Sequence, residues 1–251
     1  MFRPTISVIT VVYNGVNTLE QTFKSVFNQT YPNVEYLVID GGSKDRTVEI
    51  IKAYQTKINY WVSEPDKGLY DAMNKGIVAA TGDYLFFLNA DDQFYDNEVL
   101  EKMISSFDNA DVYYGDVMVT DSDNNDVGLR SEVTPHKVPL ELTWKSLKHG
   151  MVVSHQAFLV KRSITPLYDT QYKISADIDW MIKVLKSAKR IHNTQLIIAK
   201  FKTGGSSTQR QKLAWKERYN IFSKHYGSLT NFFNHLYIAV RYLIKKPFSK
   251  L

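Results

Sequence analysis

Apolar residues along this chain come in short dense runs, each followed by a stretch with helical spacing. Ile6–Tyr13 (ISVITVVY) is β-branched and lacks alternation, the pattern of a strand buried on both faces. Asn14 and Gly15 break it, and Leu19, Phe23, Val26 and Phe27 then recur at helical spacing within Thr18–Asn28. Past a turn at Pro32-Asn33, Val34–Asp40 (VEYLVID) predicts a second buried strand, and GGSKDRT opens a helix over Val48–Tyr54. A third strand is expected at Ile58–Val62, then a turn at EPDKG and a helix over Leu69–Ala80 (LYDAMNKGIVAA). Gly82 stops that helix, and Asp83–Leu88 (DYLFFL) reads as a fourth strand. Strands alternating with helices of this length build βαβ units and a parallel sheet.

The regularity loosens after about residue 110. Val112–Thr120 and Val127–Val133 flank the polar turn DSDNND as a hairpin, and His155–Lys161 is a further strand. Ala176–Ala188 (ADIDWMIKVLKSA) predicts a helix with Ile178, Met181, Ile182 and Leu185 on one side, and Arg190–Phe201 returns as a strand. Two helices follow, at Gln209–His225 and Leu229–Leu243. The second carries a stripe of Phe233, Leu236, Tyr237, Val240 and Ile244, which suits packing on the body or a membrane surface. No internal repeat or low-complexity segment interrupts the series.

A chain of 251 residues with 44% hydrophobic content can bury one large domain, or a domain with a small appendage. The absence of cysteine rules out disulfides, thiol nucleophiles and zinc–thiolate sites, and favours a reducing compartment. The apolar stretch of MFRPTISVITVVYNG is too short and too β-branched for a signal peptide or a membrane span. A cytoplasmic protein is expected. The net charge of +5 is uneven: from Lys200 onward there are 11 Lys and Arg against the single acid Glu217. That basic tail points to an anionic partner such as lipid headgroups, or to a solvated basic helix pair.

In open α/β sheets, ligands bind beyond the carboxyl ends of the strands. Here those ends read TVVYNG, VIDGGSKD, VSEPDKG and LNADD, with acids at three of the four. Neither GxGxxG nor GxxxxGK[ST] is present, so bound phosphates would need another countercharge, a role that suits a divalent cation. Asn89 and Asp91 share a face at the tip of the fourth strand, and Asp92 follows at the turn. Oxygen ligands of this kind suit Mg2+ or Mn2+ together with substrate phosphates, while an aspartate here can equally cap the next helix. Spacing alone leaves both open.

Five ordered stretches resemble family 2 glycosyltransferases of the GT-A fold, of the type that assembles bacterial cell-surface polysaccharide. They are ISVITVVYNG, QTYPNVEYLVIDGGSKDRT, SEPDKGLYDAMNKGIVAATGDYLFFLNADD, VVSHQAFLVKRS and SADIDWMIKV, spanning roughly residues 4–188. The resemblance implies an α/β fold with a mostly parallel, Rossmann-like sheet flanked by helices and a C-terminal helical extension. It divides the chain into a nucleotide-sugar half (1–110), an acceptor and catalytic half (111–205), and a basic helical extension (206–251). It assigns base and ribose of the donor to Thr10, Val11, Tyr13 and Asp40, with Asp40 accepting from a uracil imide N–H. Asp40 would otherwise cap the following helix. Lys67, Asp71 and Asn74 would line the nucleotide pocket or form an ordinary polar helix start.

NADD matches the family's DxD motif with Asn89 in place of the first acid, which leaves Asp91 and Asp92 as metal ligands and Asn89 and Ala90 beside the donor. Inverting transfer also needs a carboxylate that deprotonates the acceptor hydroxyl. The resemblance gives that role to Asp177, with Asp179 as its alternate; capping of the helix by Ser175 or Asp177 is the plain alternative. His155 matches a position near the diphosphate and metal, or is structural. Gly204–Ser207 with Arg210 would be a loop over the diphosphate, or a linker.

The implied activity is metal-dependent (Mn2+ or Mg2+) inverting transfer of a sugar from a nucleotide-linked donor, with UDP expected, to a glycan or lipid-linked glycan. Peripheral contact with the inner face of the plasma membrane and a homodimer are both compatible with this reading. Two others remain. A non-catalytic carbohydrate- or membrane-binding protein could use the same scaffold. A sugar nucleotidyltransferase would need a basic glycine-rich loop after the first strand, which VVYNGVNTLEQTF lacks. Nucleic acid is not expected, since the aromatics of the tail form a helical stripe and no stacking platform.

Overall fold

The computed structural model describes residues 3–202 and 210–245. At the heart of the parallel half of its sheet lies β1 (Ile6–Val12), every residue of which is buried. β2 (Val34–Asp40) and β4 (Tyr84–Phe87) pair with its two sides in parallel, and β3 (Tyr60–Ser63) extends the sheet in parallel beyond β2. Helices α1 (Leu19–Phe27), α2 (Thr47–Tyr54) and α3 (Leu69–Ala79) make the connections. α3 lies so close to β1 that a Cβ at Gly76 would stand 2.5 Å from Ile9 Cγ2. A strand between two parallel neighbours and under a closely packed helix has no solvated side, which explains the unbroken apolar run.

The register sets Val12 beside Asp40 and Asp40 beside Ser63, so the first three strands end level. β4 leaves the ladder at Phe87, and the buried Thr10 holds its continuation. Its hydroxyl lies 2.7 Å from the Leu88 carbonyl and 2.9 Å from the Tyr36 hydroxyl. All four strand ends therefore open onto one edge.

Beyond β4 the sheet changes character. β8 (Phe158–Lys161) joins β4 antiparallel, and β6 (Val112–Thr120) joins β8 antiparallel. β9 (Ile191–Lys202) is parallel to β6, β5 (Gln93–Phe94) closes the edge on β9, and β7 (Asp126–Leu129) pairs with β6. The remaining helices are α4 (Val99–Ser105), α5 (Arg130–Val133), α6 (Ala176–Ser187), α7 (Gln211–Tyr226) and α8 (Ser228–Lys245). One apolar cluster reaches from Ile6 to Phe222, so the sheet and α7 share a core.

Several elements differ from the sequence pattern. The strand expected from His155 begins at Phe158, because His155–Ala157 is a 3-10 turn. The expected hairpin arm Val127–Val133 is a strand only to Leu129 and then coils into α5. β5 and α4 were not anticipated; a two-residue strand has no periodicity to read. In α8 the most deeply buried described positions are polar: Asn231 is fully buried and Asn234 nearly so, with Ile238 partly packed on the core, while Phe232, Phe233, Leu236, Tyr237 and Val240 are exposed. The stripe from Phe233 to Val240 therefore faces largely outward.

Candidate active site

Everything at the open edge follows from how the strand ends are tied. After β4, Leu88 N–H bonds Ile9 O at 3.0 Å, Ala90 N–H bonds Val11 O at 3.3 Å, and Asp92 N–H closes a turn onto Asn89 O at 3.0 Å. Thr22 of α1 points its hydroxyl into this turn, 2.9 Å from Ala90 O and 2.8 Å from Asp92 O. The turn separates the two acids. Asp91 stays exposed, with one oxygen accepting from Thr18 Oγ1 at 2.7 Å. Asp92 points inward, accepts from Gln156 Nε2 at 3.0 Å, and is pushed up to about 7 by burial. A carboxyl half-protonated at neutral pH and sealed in the body leaves Asp91 as the carboxylate facing solvent at this tip.

From Asn89 the site continues inward. Asn89 Nδ2 stands 3.3 Å from His155 Nε2, and its Oδ1 is buried with no partner. The other ring nitrogen, Nδ1, faces Asp177 Oδ2 at 3.8 Å. Burial lowers His155 to about 4, so the ring is neutral near pH 7. Asp177 stands in the first turn of α6. Its Oδ1 accepts from Ile178 N at 2.9 Å and faces the Tyr70 hydroxyl at 3.2 Å. Burial raises Asp177 to about 6. Oδ2, the oxygen toward His155, accepts no hydrogen bond among the described residues. A floor of stacked rings, Tyr70 on Tyr168 and Tyr168 on Trp180, supports this corner from below.

α6 is fixed from behind by α7. The buried Glu217 carboxylate accepts three backbone N–H groups, from Lys173 at 2.7 Å and from Ile174 and Ser175 at 2.9 Å, just before the helix starts. Asp179 belongs to this clamp and not to the cleft. Burial alone would raise it, yet His225 at 2.7 Å, Lys183 at 2.5 Å and Lys224 at 3.5 Å draw it down to about 2. Two residues apart on a helix, the two aspartates face different ways.

The residues expected to hold the nucleotide divide into those at the edge and those beneath it. Tyr13 is exposed at the end of β1, and Thr10 and Val11 are buried below it. Asp40 is fully buried, and its carboxylate accepts from Gly42 N at 3.2 Å, Ser43 N at 3.0 Å, Ser63 Oγ at 2.6 Å and Ser43 Oγ. It folds the loop 41–43 and has little capacity left for a ligand. Asp71, in the first turn of α3, accepts from Lys67 N at 3.0 Å and so ties down the residues that lead into the helix. Asn74 binds the Tyr168 backbone from both sides, at 3.0 and 2.7 Å, and so spends its amide on holding that segment.

Sequence reasoning passed over Asp66, whose Oδ2 would lie 2.7 Å from a Cβ at Gly41 and which pairs with Lys75 at 2.5 Å. The acid in EPDKG was the available signal. Gly204–Ser207 lie outside the described residues.

The strand ends of the parallel sheet thus gather an exposed aspartate, Asp91, and a half-buried one, Asp177, at one edge. Residues 7–165 match the family Glycosyl transferase family 2. The chain belongs to that family. Among its relatives, an uncharacterized glycosyltransferase of Mycobacterium tuberculosis is 34% identical over 217 residues, covering 84% of this chain and 80% of that protein. A PGL/p-HBAD biosynthesis glycosyltransferase of Mycobacterium bovis is 30% identical over 193 residues, covering 73% and 70%.

Solved structures confirm that this glycosyltransferase has the GT-A fold. S. aureus TarS 1-349 in complex with UDP superposes with a TM-score of 0.69 at 17% identity, over 98% of this chain and 73% of that one. Mannosyltransferase PcManGT from Pyrobaculum calidifontis, in complex with GDP-Man and Mn2+, gives 0.66 at 15% identity, over 100% and 77%.

Proposed function

We propose that this glycosyltransferase moves a sugar, with inversion, from a nucleoside-diphosphate donor to a hydroxyl of a glycan or lipid-linked glycan, with Asp177 as the base. The observation that carries the reading is Asp177 itself. It is a half-buried carboxylate raised to about 6, with Oδ2 facing His155, and it is connected through His155 and Asn89 to the strand tip that bears Asp91. A base is most useful when its proton affinity lies near the working pH.

In this scheme Asp177 Oδ2 receives the acceptor's proton as the hydroxyl oxygen attacks the anomeric carbon. Ile178 N–H holds Oδ1, with the Tyr70 hydroxyl alongside at 3.2 Å while it donates to Ile174 O at 2.8 Å, and Oδ2 is left for the acceptor. Neutral His155, held between Asn89 and Asp177, adds no charge of its own beside the base. Tyr13, the loop folded by Asp40, and Asp66 form the seat of the base and ribose. A nucleotide with a ring N–H to donate, such as uracil, suits the carboxylate of Asp66.

Asp91 with one free oxygen, the orphaned Asn89 Oδ1 and the donor's own diphosphate oxygens make a donor set that fits Mn2+ or Mg2+. Among the described residues no group of three or more His, Asp or Glu forms a cage, as expected for a cation that arrives with its phosphate ligands. When bound, the cation would offset charge on the departing diphosphate.

The outward row of Phe232, Phe233, Leu236 and Val240 on α8, within the basic tail, supports peripheral attachment to an anionic membrane, where lipid-linked acceptors of surface polysaccharide reside. No helix among the described residues is long and apolar enough to cross one.

The test is thermal. UDP with Mn2+ at millimolar concentration should raise the melting temperature, and Asp91→Ala should remove most of the gain. A screen of nucleotide sugars should then show slow donor hydrolysis that Asp177→Asn abolishes. No shift in the wild-type protein, with no hydrolysis of any donor, would overturn the reading.

A further inference from the structure

Two turns meet at the open edge, and side chains join them. One is Asn89–Asp92 at the end of β4; the other is the 3-10 turn His155–Ala157 that leads into β8. The antiparallel ladder between β4 and β8 has its last registered pair at Leu85 and Val160, short of both turns. Two polar rungs continue where it ends. Asn89 Nδ2 meets His155 Nε2 at 3.3 Å, and Gln156 Nε2 donates to Asp92 Oδ2 at 3.0 Å.

The second rung is the deeper one. Asp92 and Gln156 are each 3% exposed, and the buried Ser154 donates its hydroxyl to Gln156 Oε1 at 2.5 Å. With that oxygen engaged, the amide has one orientation, and its Nε2 points at Asp92. The Asp92 end is fixed as well. Its N–H closes onto Asn89 O at 3.0 Å, and its carbonyl accepts from Thr22 Oγ1 at 2.8 Å.

Stability alone does not call for this arrangement. Burying a carboxyl and an amide costs free energy that the bond between them offsets only in part, and two apolar side chains would fill the space without that cost. What the polar pair adds is direction and distance. A hydrogen bond fixes two turns in register, which non-directional apolar contact does not. Asp91 immediately precedes Asp92, and His155 immediately precedes Gln156. His155 in turn faces Asp177 at 3.8 Å. The rung therefore sets the spacing between the tip that bears Asp91 and the side of the site that bears Asp177.

We propose that Gln156 and Asp92 are positioning residues for sugar transfer, a role that rests on Asp91 and Asp177 acting as described above. Their bond holds the Asp91 tip in register with the His155 turn, and so fixes the seat of the donor diphosphate relative to the base. Asp92 thus works inside the protein and is not a ligand of the cation. A misplacement of about 1 Å can cost about a hundredfold in rate. Nucleotide affinity is less sensitive, because base and ribose are seated at Tyr13 and Asp66, away from the rung. Breaking the rung should lower kcat more than affinity.

Three variants test this. Gln156→Leu removes the rung, and Gln156→Glu sets two carboxyls against each other. Asp92→Asn combined with Gln156→Glu rebuilds it with donor and acceptor exchanged. The Asn amide then donates to the Glu carboxylate, whose second oxygen still accepts from Ser154. The measurements are UDP release from the donor that a nucleotide-sugar screen selects, and calorimetric affinity for UDP with Mn2+, both per folded protein. In each single variant kcat should fall about tenfold or more while affinity changes less than about threefold. The double variant should recover most of the lost rate. Unchanged kcat in Gln156→Leu, affinity lost in proportion to kcat, or a double variant no better than Gln156→Glu would overturn the proposal. Should one single variant fail to fold, the other carries the comparison. Wild-type protein that binds no UDP, or turns over no donor, is a failure of the donor reading. The imidazole 15N signals of His155, identified by their loss in His155→Gln, then decide the rung. They should move in Gln156→Leu and return in the double variant, and unmoved signals would overturn it.

Discussion

Replacing Asp177 by Asn should abolish sugar transfer and make the protein more stable. The carboxyl sits about two pKa units above its usual value of 3.8, at about 6, because burial disfavours its charged form. At neutral pH it is nonetheless mostly ionised, so the folded state bears the cost of a desolvated charge. Each unit corresponds to about 1.4 kcal/mol, which makes about 3 kcal/mol an upper bound, and about 1–3 kcal/mol the expected gain for Asn. The isostere keeps the structural contacts, since its amide oxygen can still accept from Ile178 N–H and face the Tyr70 hydroxyl.

The sign follows from linkage. With the folded pKa above the unfolded one, the native wild type binds more protons between 3.8 and about 6, so its stability falls as pH rises through that window. Asn does not titrate. The stabilisation should therefore be nearly full at about pH 7.5 and much smaller at about pH 4.5. Urea unfolding followed by tryptophan fluorescence at both pH values measures it. An Asn variant less stable than wild type at the higher pH, or a gain independent of pH, would refute the claim that Asp177 is held at an energetic cost for chemistry.

The same shift sets the pH dependence of rate: UDP release with a competent donor should rise with pH through about 6, and a profile flat below neutrality would exclude Asp177 as the base. Glu217→Gln should lose at least one of three bonds to the residues before α6. A cost of about 2–3 kcal/mol is expected, and kcat should fall more than donor affinity; unchanged kcat would show that the clamp does not position Asp177. Gly76→Ala places a methyl 2.5 Å from Ile9 Cγ2 and should destabilise by about 1–3 kcal/mol in denaturant unfolding, as overpacking does. Phe232→Glu with Phe233→Glu should reduce cosedimentation with anionic vesicles at low salt, whereas undiminished binding would detach α8 from membrane contact.

The sequence by itself determined the parallel half of the sheet. Unalternated apolar runs at β1, β2 and β4 have no other use than burial on both faces, and their polar ends mark the edge where ligands enter. It also singled out Asp91 and Asp177, because each stands in a local motif. Tertiary structure decided what neighbours do to such residues. Asp91 and Asp92 are adjacent in sequence, yet a turn tied by Asn89 and Thr22 sends one to solvent and the other into the body, where burial pushes the Asp92 carboxyl up to about 7. Asp40 looks available for a nucleotide until four donors, one of them on β3, are found on its carboxylate. Asp177 and Asp179 read alike as letters, but Lys224 and His225 of α7 pair with Asp179 and leave Asp177 beside His155, because partners supplied by a helix some 45 positions away leave no trace in the local pattern.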